Sequence, residues 1–180
     1  MKAELDKKTI RKIMKERRLL YAQKTFSYES IQRILDHPRI QKAKMIACYV
    51  SMKNEYPTHE LIQKLLKDHR VCTPKIVGRH MEFFEIQSLD DLKEGYYGIL
   101  EPATKALVSP YDIDVMLVPM LAYDKEGYRV GYGGGFYDRY FSDSFPGYKI
   151  GLAYSYQYVP HIERNEFDQK LDEMIVEKVE

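Results

Sequence analysis

Short apolar runs alternate along this chain with helical patterns, and that alternation leaves few folds open. Residues 44–50 (KMIACYV) read as a buried strand, and residues 113–119 (IDVMLVP) and 148–154 (YKIGLAY) repeat the pattern. Continuous apolar runs of this length suit strands covered on both faces. Residues 71–76 and 82–85 read as shorter strands, and residues 171–176 as either a last strand or a helix end. Residues 57–68 (PTHELIQKLLKD) form an amphipathic helical pattern with proline in the first turn. A second helix is expected over 28–36, ending before Pro38, and residues 97–109, with their glycine and proline, read as a loop. Strands separated by helices predict the α/β class, as an open, mostly parallel sheet with helices on both faces. A chain of 180 residues without repeats, low-complexity tracts or a linker predicts one domain over 1–180.

Charge and composition narrow the function. Lys and Arg number 28 against 27 Asp and Glu, so no whole-protein field exists to grip a nucleic acid. Any basic site must be local, and a nucleic-acid partner is not expected. Cys48 and Cys72 lie in no C-x-x-C, no His/Cys cluster has zinc spacing, and both thiols are expected as reduced core residues. The five histidines show no metal spacing and read as surface or loop residues. The N-terminal MKAELDKKTIRKIMKERR is too charged for a secretory h-region, and no apolar run approaches ~20 residues. A cytoplasmic monomer with no membrane contact is the expectation. Sixteen tyrosines and no tryptophan are the compositional oddity. Most should be half-buried packing, though Tyr154, at a strand end, could stack on a ligand ring.

Residues 6–24 read as a first helix. At about 100° per residue, Ile10, Ile13, Met14 and Leu20 share one arc. Lys7, Arg11, Lys15 and Arg18 fall within about 80° of one another on the adjoining arc. A basic stripe bordering the docked face would lie along a seam, where a ligand could sit.

Chemistry concentrates in residues 124–139, DKEGYRVGYGGGFYDR. This segment follows a strand, and in an open, Rossmann-like sheet ligands bind just past the carboxyl ends of strands. Gly131, Gly133, Gly134 and Gly135 let the backbone approach a ligand closely. FYDRYF can begin a helix, and Arg129 and Arg139 flank the loop with groups suited to phosphate or carboxylate. The segment is neither G-x-x-x-x-G-K-[ST] nor, with Phe136, G-x-G-x-x-G. On these residues alone, a phosphate loop and a tight structural turn both remain open.

The run R-V-G-Y-G-G-G-F-Y-D-R resembles the signature of the 5-formyltetrahydrofolate cyclo-ligases, also called methenyltetrahydrofolate synthetases. The resemblance extends to Lys7 and Arg11 (K-x-x-x-R), to VSMKNE over residues 50–55, and to Pro74-Lys75. It continues through Gly98, Glu101 and Pro102 (G-x-x-E-P), Asp114 to Pro119 (D-x-x-L-V-P) and a late F-D-x-x-L-D over residues 167–172. It implies ATP-dependent conversion of 5-formyltetrahydrofolate to 5,10-methenyltetrahydrofolate, with release of ADP and phosphate. The γ-phosphoryl group moves to the formyl oxygen, and N10 then closes the ring. Such chemistry asks mainly for positioning and charge neutralisation.

The same resemblance implies the roles. Lys7, Arg11 and Arg18 would meet ATP from the first helix, together with Arg129, Gly131, Tyr132, Gly133, Gly134, Gly135, Phe136 and Tyr137. Arg129, Tyr137 and Arg139 would be catalytic. Val50, Met52 and Glu55, with residues 132–136, would hold the folate, Glu55 accepting hydrogen bonds from the pterin. Asp138 and Asp168 would bind Mg²⁺, with Asp172 the neighbour most easily confused with Asp168. The alternatives are an ATP-dependent enzyme of this fold acting on another amide-like substrate, and a non-catalytic nucleotide-binding regulator.

Overall fold

The structure is a computed structural model and describes residues 5–21 and 28–179. The chain begins with helices α1 (Lys7–Tyr21), α2 (Tyr28–Leu35) and α3 (Pro38–Lys42). Strand β1 (Met45–Cys48), helix α4 (His59–Asp68), and strands β2 (Arg70–Val77) and β3 (His80–Ile86) come next. The short strands β4 (Leu92–Glu94), β5 (Leu100–Pro102) and β6 (Leu107–Val108) lead to β7 (Val115–Val118). The hairpin strands β8 (Ala122–Tyr123) and β9 (Arg129–Val130) precede α5 (Phe136–Ser142), β10 (Tyr148–Tyr154) and β11 (Glu173–Glu177).

Seven strands form one sheet in the order β11-β10-β7-β1-β2-β3-β6. The first five are parallel, and β3 and β6 add antiparallel edges. All four residues of β1 and of β7 are buried, as expected of central parallel strands covered on both faces. Side-chain alternation divides them between two cores. Ile46, Cys48, Val115 and Leu117 pack with Ile31, Ile34, Leu61 and Leu65 from α2 and α4. Met45, Ala47, Met116 and Val118 pack with Phe141 of α5 and Phe145 beyond it. The expected α/β sheet with helices on both faces is therefore present. Cys48 and Cys72 are free, buried, and assigned to opposite cores, and burial raises both thiols.

Several expectations need correction. Pro57 is not in the first turn of α4, because Thr58 is the N-cap and the helix begins at His59. The second helix does end before Pro38, at Leu35, but Pro38 has a further part to play. It opens α3, with the His37 side chain accepting from the Arg39 N–H. Residues 97–109 are not only loop, since β5 pairs with β4 and β6 with β3. In α1 the buried row is Ile10, Met14 and Arg18, spaced by four, whereas Leu20 is 79% exposed. The row with i, i+4, i+8 spacing wins because the docking surface accepts the polar end of Arg18. The expected continuation of this helix over residues 22–24 lies outside the described residues. Three of the histidines, expected at the surface or in loops, also make specific bonds. His37 bonds Glu173 at 2.8 Å, His59 the Ser51 carbonyl at 2.9 Å and His69 the Ala43 carbonyl at 2.8 Å.

Asp114 fastens the middle of the sheet. One of its carboxylate oxygens accepts the backbone N–H groups of Lys44 and Met45, at 2.8 and 3.0 Å, tying the start of β1 to its neighbour β7. Leu117, with no exposed surface at the centre of β7, tests the packing that results. Leu117→Ala should lower stability by about 2–5 kcal/mol, read as a lower urea midpoint at unchanged slope.

Candidate active site

The chain leaves β1 and β7 in different directions. From β1 it winds through α4 to β2 on one side, and from β7 it continues to β10 on the other. Between two such strands the carboxyl ends open into a crevice, where α/β sheets bind ligands. Here the crevice is a groove of about 1110 Å³, lined from both directions.

The β1 side is held by a small polar knot. The buried Thr58 hydroxyl donates to the Tyr49 carbonyl at 2.7 Å and accepts the Ser51 N–H at 2.9 Å, while the Ser51 hydroxyl oxygen accepts the Thr58 N–H at 2.9 Å. Asn54, at φ 69°, turns the chain back, and Glu55 Oε2 accepts the Met52 N–H at 2.6 Å. Val50, Met52 and Glu55 consequently face the groove, as does Tyr49.

The β7 side is built on the β8–β9 hairpin, against which α1 docks through Ile10 and Met14. The hairpin carries Arg129 into the wall and delivers the chain to the glycine loop. Gly133 has φ 109°, and Gly135, the N-cap of α5, has φ 67°, conformations that side chains rarely adopt. The N–H groups of residues 131–135 donate to no other group among the described residues. Arg11 Nε donates to the Gly131 carbonyl at 2.9 Å.

Charge collects beside this loop. Lys7 is ion-paired with Asp168, whose carboxylate also accepts the Asn165 N–H at 2.8 Å. Asp138 accepts the Gln169 N–H at 3.2 Å and lies 3.8 Å from Arg129. The Arg129 guanidinium is 5.2 Å from the Tyr137 ring centroid, and its buried Nε has no hydrogen-bond partner among the described residues. Burial pulls this guanidinium below its ordinary pKa, opposed by Asp138, Tyr137 and Asp168. The group stays charged at neutral pH, held by less countercharge than its burial calls for. Burial likewise pushes the Tyr137 phenol well up, so it remains a protonated donor.

Lys7, Arg11, Arg129, the five loop residues 131–135, Phe136, Tyr137, Asp138, Arg139 and Asp168 all line the one groove. Arg18 does not. Its guanidinium is buried behind Tyr132, donating to the Tyr132 hydroxyl at 2.6 Å and to the Met120 carbonyl at 3.0 Å. Arg139 borders the groove but is exposed, and it donates to the Gly134 and Arg79 carbonyls at 2.8 and 3.2 Å. Asp172 is separated from Asp168 by its job: it accepts the Lys149 N–H at the start of β10, at 2.8 Å. Tyr154 packs between Tyr56 and Tyr156 rather than in the groove. The sequence reading gave no site role to Pro74, Glu101 or Phe167, which also line the groove. Each stood in a motif of the resemblance, and that was the available signal.

Residues 3–177 match the model of the 5-formyltetrahydrofolate cyclo-ligase family. A 5-formyltetrahydrofolate cyclo-ligase of Haemophilus influenzae is 33% identical over 147 residues, covering 76% of this chain and 77% of that protein. One of Mycoplasma genitalium is 30% identical over 182 residues, covering 95% and 98%. The structure of Aquifex aeolicus 5,10-methenyltetrahydrofolate synthetase superposes with a TM-score of 0.81 at 31% identity, covering 94% of this chain and 89% of that one. That of a Mycoplasma pneumoniae 5,10-methenyltetrahydrofolate synthetase gives 0.72 at 26%, covering 95% and 98%.

Gly135 tests whether the loop geometry costs the fold anything. Its φ is left-handed and a Cβ there would sit 3.0 Å from the Arg139 guanidinium. Gly135→Ala should lower stability by about 1–2 kcal/mol in urea denaturation.

Proposed function

The chain belongs to the 5-formyltetrahydrofolate cyclo-ligase family, and from that premise we propose how its groove works. The enzyme converts 5-formyltetrahydrofolate to 5,10-methenyltetrahydrofolate and consumes ATP. The observation that carries the assignment to this groove is the meeting of three cations, Lys7, Arg11 and Arg129, with two carboxylates, Asp138 and Asp168, and the buried Glu55.

The phosphates of ATP lie against the glycine loop, with Lys7, Arg11 and Arg129 supplying positive charge and residues 131–135 supplying N–H donors that are unpaired among the described residues. Glu55 accepts two hydrogen bonds from the pterin edge, a charge-assisted pairing. Val50, Met52, Tyr132 and Phe136 give the folate its apolar walls. The formyl oxygen attacks the γ-phosphorus, and the bond to the β-phosphate oxygen breaks to release ADP. N10 attacks the formyl carbon and gives up its proton to the phosphate group or to water, and the C–O bond breaks to release phosphate. Arg129 offsets charge on the transferring group, Tyr137 donates a hydrogen bond to it, and Arg139 acts through the Gly134 carbonyl, holding the loop in place.

Mg²⁺ fits the residues present. It takes one or two carboxylates and leaves its other positions to water and phosphate oxygens. Asp138 and Asp168 line the groove, and no group of three or more His, Cys, Asp or Glu side chains suited to a metal occurs among the described residues. Asp138 and Asp168 would hold the ion, which when bound would neutralise phosphate charge. We place the work in one domain, acting as a cytoplasmic monomer without nucleic acid. No helix among the described residues is long and apolar enough to cross a membrane.

The direct test is absorbance of the methenyl product after mixing protein, ATP, Mg²⁺ and 5-formyltetrahydrofolate. No signal above controls would count against the assignment. Asp138→Asn then tests the metal. It keeps the side chain's size and loses the charge, so the variant should stay folded and bind folate normally. It should need at least about tenfold more Mg²⁺ for half-maximal rate and turn over more slowly. Asp168→Asn should give a milder change. An unchanged Mg²⁺ titration would leave Asp138 a structural residue.

A further inference from the structure

Arg18 is the one expected ATP ligand that does not line the groove, and its surroundings give it other work. Its Nη1 lies 2.6 Å from the Tyr132 hydroxyl, and that hydroxyl lies 2.7 Å from Glu55 Oε1. Arg18 itself is anchored by its bond to the Met120 carbonyl, which Gln157 also engages at 2.8 Å. Arg18 and Gln157 are both buried.

A guanidinium only donates, and a phenol carries one proton. With Arg18 donating to it, the Tyr132 oxygen acts as acceptor on that side, and its single proton is directed to Glu55. Burial and the Glu55 charge raise the Tyr132 pKa, so that proton stays on the ring oxygen. Glu55 then has each oxygen engaged once, Oε1 by Tyr132 and Oε2 by the Met52 N–H. What remains on each oxygen is acceptor capacity, offered side by side to the groove.

We infer that Arg18 is a positioning residue for the folate rather than an ATP ligand, acting through Tyr132 to present Glu55 as a fixed acceptor pair. The pair selects a flat ring edge with two adjacent N–H donors, as on a 2-amino-4-oxopyrimidine. This rests on the assignment of Glu55 to the pterin made above. It changes the reading of the basic stripe on α1: Lys7 and Arg11 face the nucleotide, and Arg18, two to three turns along the helix, serves the other substrate. The Tyr132 side chain faces Glu55 while the carbonyl of the preceding Gly131 accepts from Arg11, so two neighbouring loop residues serve the two substrates.

The test is calorimetric binding of 5-formyltetrahydrofolate and, separately, of ATP with Mg²⁺, for wild type and for Arg18→Met, Tyr132→Phe, the double variant and Glu55→Gln. Arg18→Met and Tyr132→Phe should each weaken folate binding about tenfold and leave ATP affinity within about twofold. The double variant should be no weaker than the worse single, because both remove the same chain of contacts. Preference for the 2-amino folate over its 2-methyl analogue should shrink in both single variants, an effect that loosened packing alone would not produce. Loss of ATP affinity in Arg18→Met, additive losses in the double variant, or unchanged folate affinity in both singles would each overturn the inference. Should Arg18→Met fail to fold, Tyr132→Phe carries the test through the analogue preference. If Glu55→Gln leaves folate affinity untouched, the pterin assignment itself fails, and the relay with it.

Discussion

Two adjacent parallel strands whose chains depart to opposite sides of the sheet set the terms for everything else in this molecule. At most strand ends the following helix or loop covers the backbone. Between β1 and β7 it cannot, because each chain is already committed to its own side. The crevice must be walled by the loops themselves, and both loops are unusually well tied. Asp114 locks the strands at the amino ends, and the Ser51–Thr58 exchange locks the loop after β1. The β8–β9 hairpin, capped by α1, locks the loop after β7. A rigid scaffold under a glycine-rich turn reconciles two demands: close backbone approach to a ligand and fixed geometry around it.

Burying charge at that turn has an energetic consequence. Arg129 is enclosed with Asp138 at 3.8 Å, beyond ordinary hydrogen-bond distance, and its Nε has no partner among the described residues. A buried cation compensated this loosely gains more from an incoming anion than a solvated one does, because the desolvation cost is already met in the folded state. Lys7 stands differently, since its partner Asp168 is within contact. An anion arriving at Lys7 must compete with that carboxylate, unless a divalent cation takes the carboxylate in exchange. The two basic residues thus answer to separate controls, one to burial and the other to its ion pair.

How much of this was legible in the sequence depended on the range of the interaction. The central strands were readable because burial on both faces leaves an uninterrupted apolar run, and the structure places them within a residue or two. The glycine loop was readable because few local conformations need that composition. Edge elements were not. β4, β5 and β6 are two or three residues long, too short to show a periodicity, and β6 pairs with β3 more than 20 residues back. The place of Arg18 outside the groove was hidden for a similar reason. On a helical wheel it belongs with Lys7 and Arg11. Its burial follows from the Met120 carbonyl and the Tyr132 hydroxyl, more than 100 residues away. The difference between Asp168 and Asp172 was likewise out of reach, because it lies in their backbone neighbours: Asp172 accepts the Lys149 N–H of β10, and Asp168 the Asn165 N–H.

The alternative of a related ATP-dependent enzyme with another amide-like substrate turns on Glu55, since the phosphate end of the groove would look the same in either case. A carboxylate left on a loop merely for solubility would be exposed and unpaired. Glu55 is 9% exposed, with one oxygen held by a backbone N–H and the other by a tyrosine that a buried arginine orients. Ordering three side chains around one charge costs conformational freedom, and the solvent lost from the carboxylate is only partly replaced by those two donors. The fold recovers that cost if something with complementary donors arrives. A simple amide offers a single N–H edge, which one carboxylate oxygen satisfies. A planar ring edge with two parallel donors engages both oxygens at once, and it is the ligand for which this arrangement is worth its cost.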